Sequence, residues 1–297
     1  MTAAEAGGAS ELQDGLNRFV YHPLARRLAW ALLPTRVSPN AVSVAGTLLI
    51  WAAAWAYVTM RWPQGALLGF LLHAGWHVLD GADGTLARLR HMSSPTGELV
   101  DGVCDYAGHV PLYFAFGFLL DDSLGGWAWV LAVAAGASHI AQTNHAESQR
   151  RNYLWRAYGV PWLVHAQAGG DEVFAQRSWF SRGFGWMARD YLRLANKMVP
   201  AGGPIDAALT EAAGDPERLR RIRHLARRMS RPSLRFQKAL GSNPKTLLIG
   251  ASMALGSPLW FFLAEILLLN LLLLWSVRHH NTVSRRLAAA LTRQRGP

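Results

Sequence analysis

Between residues 41 and 60 the chain reads AVSVAGTLLIWAAAWAYVTM, twenty residues without a charge. A helix needs about 20 apolar residues to cross ~30 Å of hydrocarbon, so this run alone points away from a soluble domain. Residues 259–277, LWFFLAEILLLNLLLLWSV, form a second such run, interrupted only by Glu265 and Asn270. Working outward, residues 65–79 and 103–120 are apolar and border a stretch rich in aspartate, and residues 127–141 are apolar but short. Residues 247–255 span only if their helix begins near Phe236 and takes Lys238 and Lys245 near the membrane interface. The expected fold is all-α: a polytopic membrane helix bundle of about six transmembrane helices.

The placement of positive charge agrees with that count, because basic residues collect on the inner side of short loops. With the N terminus inside, residues 18–36, Arg88 and Arg90, residues 150–245 and the tail from Arg278 all fall inside. The outside loops are RWPQG, DDSLGG and GSP, and only the first holds a basic residue. A net charge of +11 would otherwise raise nucleic acid as a partner. Anionic membrane lipids and the inside rule account for it, and nucleic acid is not expected. The polar opening MTAAEAGGASELQDG has no apolar core and does not read as a signal peptide. The single cysteine, Cys104, permits no internal disulfide.

The organisation expected is an N-terminal tail with a juxtamembrane amphipathic segment (1–37), helices one to four (38–146), a long basic cytoplasmic helical insert between helices four and five (147–242), helices five and six (243–278) and a basic tail (279–297). The insert holds the aromatic run FAQRSWFSRGFGWMARDYLRL and then a helix start at Asp215-Pro216-Glu217, Asp as cap and Pro at the first position. Leu219, Ile222, Leu225, Ala226 and Met229 form one stripe of that helix, with arginines around the remainder. Such a segment beside spanning helices reads as lying on the membrane surface; the alternative is a helical insert whose stripe is core.

The chemistry concentrates in HVLDGADGTLARLRHMSSPTGELVDGVCDYAGH, residues 77–109. Asp80 and Asp83 are three apart with Gly84 and Ala87 continuing their face; Asp101 and Asp105 are four apart, flanked by Gly97 and Gly108. Carboxylates crowded at a membrane boundary repel one another unless something positive sits among them. Hard divalent cations take all-oxygen sites, and Mg²⁺ is usually held by a few carboxylates together with substrate phosphates. Two such ions can serve the two ends of a phosphoryl displacement. The aspartates are therefore expected to hold Mg²⁺ or Mn²⁺, two ions.

The spacing Asp80-x2-Asp83-Gly84-x2-Ala87-Arg88-x8-Gly97-x3-Asp101-x3-Asp105 resembles the signature of the CDP-alcohol phosphotransferases. The resemblance extends to Pro39-Asn40 and to the six-helix plan, but not to the insert. It implies that Asp80, Asp83 and Asp101 ligate metal, with Asp80 and Asp101 bridging two ions. Asp105 would be a metal neighbour and the general base. Gly84, Ala87 and Arg88 would meet the CDP group, and Asn40 and Ser94 would make further nucleotide contacts. It further implies transfer of a substituted phosphate, here phosphatidyl from CDP-diacylglycerol, to a hydroxyl acceptor with release of CMP. The swapped arrangement, a CDP-linked headgroup with a lipid alcohol as acceptor, uses the same centre. An integral membrane enzyme of phospholipid synthesis follows, its site on the cytoplasmic side of a bacterial inner membrane, with homodimerisation as a family trait.

Arg150 and Arg151, at the inner end of helix four, are candidates for holding a phosphorylated acceptor. His73, His77, His139 and His145 read as bundle-packed histidines, and Glu265 and Asn270 as structural hydrogen-bonding groups inside helix six. The 13 tryptophans read as interfacial anchors. Two rivals share some features. A Mg²⁺-dependent membrane prenyltransferase places its acidic motifs farther apart, and an ion transporter spreads its acids over several helices near the midplane.

Overall fold

The computed structural model describes residues 11–93, 95–160, 193–194 and 197–293, and every regular element among them is helical. In chain order these are α1 (His22–Leu32), α2 (Pro39–Thr59), α3 (Gln64–Leu89), α4 (Pro95–Leu124), α5 (Gly126–Tyr158), α6 (Gly203–Glu211), α7 (Pro216–Ser230), α8 (Leu234–Ala239), α9 (Ser242–Ala254), α10 (Leu259–Leu263) and α11 (Asn270–Arg293). A π-helical turn, Ala264–Leu269, joins the last two. The chain divides into two bodies: Asp14–Ile140 with Ser242–Leu269, and Met1–Gln13 with Ala141–Gly241 and Asn270–Pro297.

The first body carries the aspartates. Its α2 starts because Ser38, in extended conformation, accepts the Ala41 N–H at 3.2 Å and Pro39 occupies the first turn. Val42, Gly46, Ile50, Ala53 and Tyr57 lie on its buried face, whereas Leu48, Trp51 and Trp55 are exposed. An apolar face turned outward on an uncharged helix is what lipid contact requires. Helix α2 packs on both α3 and α4, and α1 lies on α3. Close approach depends on missing side chains: a Cβ at Gly108 would stand 2.8 Å from Ile50 Cδ1, and one at Gly69 would strike the Tyr57 ring. The shared core is Ile50, Tyr57, Trp76, Phe116, Phe261 and Phe262.

Among the described residues, three helices are long and apolar enough to cross a membrane: Pro39–Thr59, Val100–Leu124 and Leu259–Arg293. The other expected spans differ for identifiable reasons. Helix α3 is 26 residues long but runs straight through Asp80 and Asp83 to Leu89, and α5 continues past its apolar half into charged sequence. Helix α9 begins at Ser242, not near Phe236, and has 13 residues, about 20 Å at 1.5 Å per residue. Lys245 is buried in protein, 2% exposed, with its ammonium 3.1 Å from Glu265.

In the second body the Asp215 cap forms as expected, accepting from the Glu217 and Arg218 N–H groups at 3.0 Å each. The stripe on α7 is core. Ile222 and Ala226 are buried against Ile205, Leu209, Leu287 and Leu291, with Leu219, Leu225 and Met229 packed around them. Protein therefore covers much of that apolar stripe, through α6 and α11. Exposed Arg220, Arg221, Arg227 and Arg228 remain outside. Glu11 ties the N-terminal segment down, accepting from Tyr153 at 2.6 Å, from Tyr158, and from Arg227 at 3.2 Å. The aromatic run of the insert falls on residues 174–194, and all but its last two lie outside the described residues.

Candidate active site

Helix α3 continues past its apolar half because Gly81, Ala82, Gly84 and Ala87 leave nothing bulky to oppose the neighbouring helices, and Arg88 ends it with a basic last turn. Helix α4 starts at Pro95, so Asp101 and Asp105 fall in its second and third turns on one face. The two helices bring carboxylate oxygens of Asp80, Asp101 and Asp105 within 4.8 Å of one another, all three residues half-buried. A set of three convergent carboxylate oxygens is compatible with a hard divalent cation, whose charge would offset their mutual repulsion.

Asp83 adjoins that trio through a side-chain contact with Asp101. It is 5% exposed and accepts a short hydrogen bond from the Ser43 hydroxyl and another from the Gly84 N–H. Sequence reasoning missed Ser43. Its signal was present in an otherwise apolar α2, where Ser43 and Thr47 lie one turn apart; Thr47 donates to the Cys104 carbonyl at 3.0 Å. These two hydroxyls point α2 at both aspartate-bearing helices. Arg90 was also missed. Its guanidinium donates to the carbonyls of Leu32, Leu33 and Thr35 at 2.8, 3.2 and 2.7 Å, and to that of Val37. The α1–α2 connection is thereby stapled to the end of α3.

The nucleotide-side candidates line the same helix end. Arg88 is exposed and its Nη2 donates to Thr85 at 3.1 Å. A Cβ at Gly84 would stand 3.4 Å from Arg88 Nη1, so glycine keeps the surface beside that guanidinium open. Ala87 is half-buried, Asn40 is exposed in the first turn of α2, and Ser94 lies outside the described residues.

The histidines of the first body pack as expected. His77 Nε2 is 2.8 Å from the Thr246 hydroxyl, and the His73 and His77 rings lie parallel. Glu265 makes the inter-helix contact expected of it, to Lys245 and, at 3.5 Å, to His139. In the second body Asn270 accepts from Gln142 at 2.8 Å, and His145 is 2.8 Å from Ser276. There too, Arg150 and Arg151 both grip Glu147, Arg150 through two bonds of 2.7 and 2.6 Å and Arg151 through one of 2.7 Å. Burial would raise the Glu147 carboxyl, but the two guanidinium charges outweigh it and hold the group down at about 2.

Residues 36–158, which include α2 to α5 and all four aspartates, match the CDP-alcohol phosphatidyltransferase family. Comparison with curated proteins and with solved structures finds no match. The family works with a divalent metal, and the Asp80, Asp101 and Asp105 cluster is compatible with one. The family that residues 36–158 match is one of phosphotransferase enzymes.

Proposed function

We propose that the chain transfers a phosphatidyl group from CDP-diacylglycerol to the hydroxyl of an acceptor, releasing CMP. The observation that carries this reading is the convergence of Asp80, Asp101 and Asp105 oxygens from two helices within one family-matched domain. Mg²⁺ or Mn²⁺, two ions when loaded, would neutralise the pyrophosphate and stabilise the departing phosphate. Asp80, Asp83 and Asp101 are the proposed ligands, with Asp105 beside them as general base. Asp105 takes the acceptor's hydroxyl proton, the acceptor oxygen bonds to the lipid phosphorus, and the bond from that phosphorus to the CMP oxygen breaks with its electron pair leaving on CMP. A carboxylate is a weak base toward an alcohol, so its placement matters more than its basicity. Arg88 pairs with a donor phosphate, Gly84 and Ala87 admit the CDP group closely, and Asn40 and Ser94 make further nucleotide contacts.

Arg150 and Arg151 are the proposed seat of a phosphorylated acceptor. They already hold one carboxylate, that of Glu147, which an incoming phosphate would displace. The proposed setting is a six-span bundle in a bacterial inner membrane, active site and basic insert on the cytoplasmic side, anionic lipids around it and a second copy as partner.

The test is product identification. Purified protein in nanodiscs is given labelled CDP-diacylglycerol, Mg²⁺ and a panel of acceptors: glycerol phosphate, inositol phosphate, inositol and serine. CMP and one new phosphatidyl product are expected, and Arg150→Ala should raise KM for a phosphorylated acceptor about tenfold while sparing that of the donor. CMP formed only from a CDP-linked headgroup and diacylglycerol would replace this reading with the swapped one. No CMP from either pair would end both.

A further inference from the structure

The first turn of α9 carries polar side chains that the reaction does not use, and all are buried: Asn243 at 5%, Lys245 at 2% and Thr246 at 2% exposed. Burying an ammonium and a carboxylate in a bundle of this kind is costly, and replacing such a pair with apolar residues is often neutral or stabilising. Lys245 and Thr246 are adjacent, so their side chains leave the helix about 100° apart and reach different neighbours.

Thr246 reaches α3. Its hydroxyl lies 2.8 Å from His77 Nε2 and 3.5 Å from His73 Nε2. A hydroxyl can donate to one ring nitrogen and accept from the other, bridging the pair. His73, His77 and Asp80 fall on one helical face, and His77 is held on its other side by stacking on Tyr21, ring centroids 4.7 Å apart. Rotation of α3 about its axis would break these contacts, and that same rotation sets where Asp80 points.

Lys245 reaches toward α4 through α5. Its ammonium donates to His139 Nδ1 at 3.2 Å and to Glu265 at 3.1 Å, and that carboxylate oxygen lies 3.5 Å from the same His139 nitrogen, so the three groups form one cluster. The His139 ring stacks on His109 with centroids 5.2 Å apart, and His109 Nδ1–H donates to the Asp105 carbonyl at 2.8 Å. The two arms thus end on the helical turns that present Asp80 and Asp105, the carboxylates that must converge from separate helices.

We propose that Lys245 and Thr246 are positioning residues, a polar wedge that sets the register of α3 against α4 and with it the spacing of the metal-binding carboxylates. The wedge rests on the metal reading of those carboxylates given above. Groups that orient ligands from behind typically change metal affinity by about 10–100-fold when removed.

The experiment uses the full chain in nanodiscs and reads Mn²⁺ binding by electron paramagnetic resonance, thermal melting, and hydrogen exchange of residues 77–84 and 101–109. Thr246→Val is expected to weaken Mn²⁺ binding about tenfold with an unchanged melting temperature, and Thr246→Ser to restore it to within about twofold. Lys245→Met alone strands Glu265, so the second arm is tested by the pair Lys245→Met with Glu265→Gln, expected to weaken Mn²⁺ likewise. Unchanged Mn²⁺ binding in both variants overturns the proposal. So does a loss that follows the melting temperature and is not rescued by serine. If the wild type binds no Mn²⁺ and makes no CMP, the metal reading has failed and exchange alone decides. Faster exchange confined to residues 77–84 in Thr246→Val then supports the wedge, and unchanged exchange overturns it.

Discussion

Asp105 sits one turn beyond Asp101 on α4, with oxygens near Asp80 from the facing helix. Replacing it with asparagine keeps its shape and removes its capacity to take a proton. General-base removal typically costs about 10²–10⁴-fold, so Asp105→Asn should lower CMP release by that order while Mn²⁺ binding falls far less; activity within about tenfold of wild type would remove Asp105 as the base. Glu147 lends itself to a test in acid. Its carboxyl is lowered from 4.5 to about 2 by Arg150 and Arg151, so the unfolded chain takes up the proton first. The stability it contributes is present in full above pH 4.5 and is lost as pH falls through about 2. Melting of the wild type and Glu147→Gln should therefore differ near neutrality and converge across that acidic window, by a modest amount because 34% of the side chain reaches solvent. Convergence already above pH 5 would show that the arginines do not hold the group ionised. The aspartates were legible because their helical spacing is a property of one chain segment. Ser43 and Lys245 were not, because their partners, Asp83 and Glu265, are distant in sequence and meet them only after the helices pack.

Among the elements, α2 was readable almost to the residue, since an uncharged run, a serine cap and a following proline all mark the same start. Helix α7 shows where periodicity stops being informative. A stripe of Leu219, Ile222, Leu225, Ala226 and Met229 defines an amphipathic helix, but nothing local says whether lipid or protein covers it; α6 and α11 do. Ile222→Ala should therefore destabilise the second body by about 2–5 kcal/mol, measurable by denaturant or thermal unfolding. Arg221→Gln with Arg228→Gln should leave stability unchanged and weaken only the salt-sensitive attraction to anionic liposomes. If Ile222→Ala were neutral for unfolding yet released the protein from liposomes, the stripe would belong to the membrane after all.

At the scale of the whole molecule, the sequence predicts six spans from apolar runs and charge placement together, whereas length and composition support three helices among the described residues. The difference lies where function intrudes on hydropathy. Helix α3 carries Asp80 and Asp83 in its last turns, and α9 gives its first turn to buried polar residues, so both look less like membrane helices than their neighbours do. The central claim is that these carboxylates form a metal centre for transfer from a CDP-linked lipid. Its most direct test is CMP release from CDP-diacylglycerol by the full chain in nanodiscs, titrated with Mg²⁺ from a chelated baseline and run beside Asp80→Ala. The account expects no CMP in chelator, recovery as Mg²⁺ is added back, and neither CMP nor bound Mn²⁺ for Asp80→Ala. Turnover undiminished in chelator, or an Asp80→Ala enzyme as fast as wild type, would contradict it.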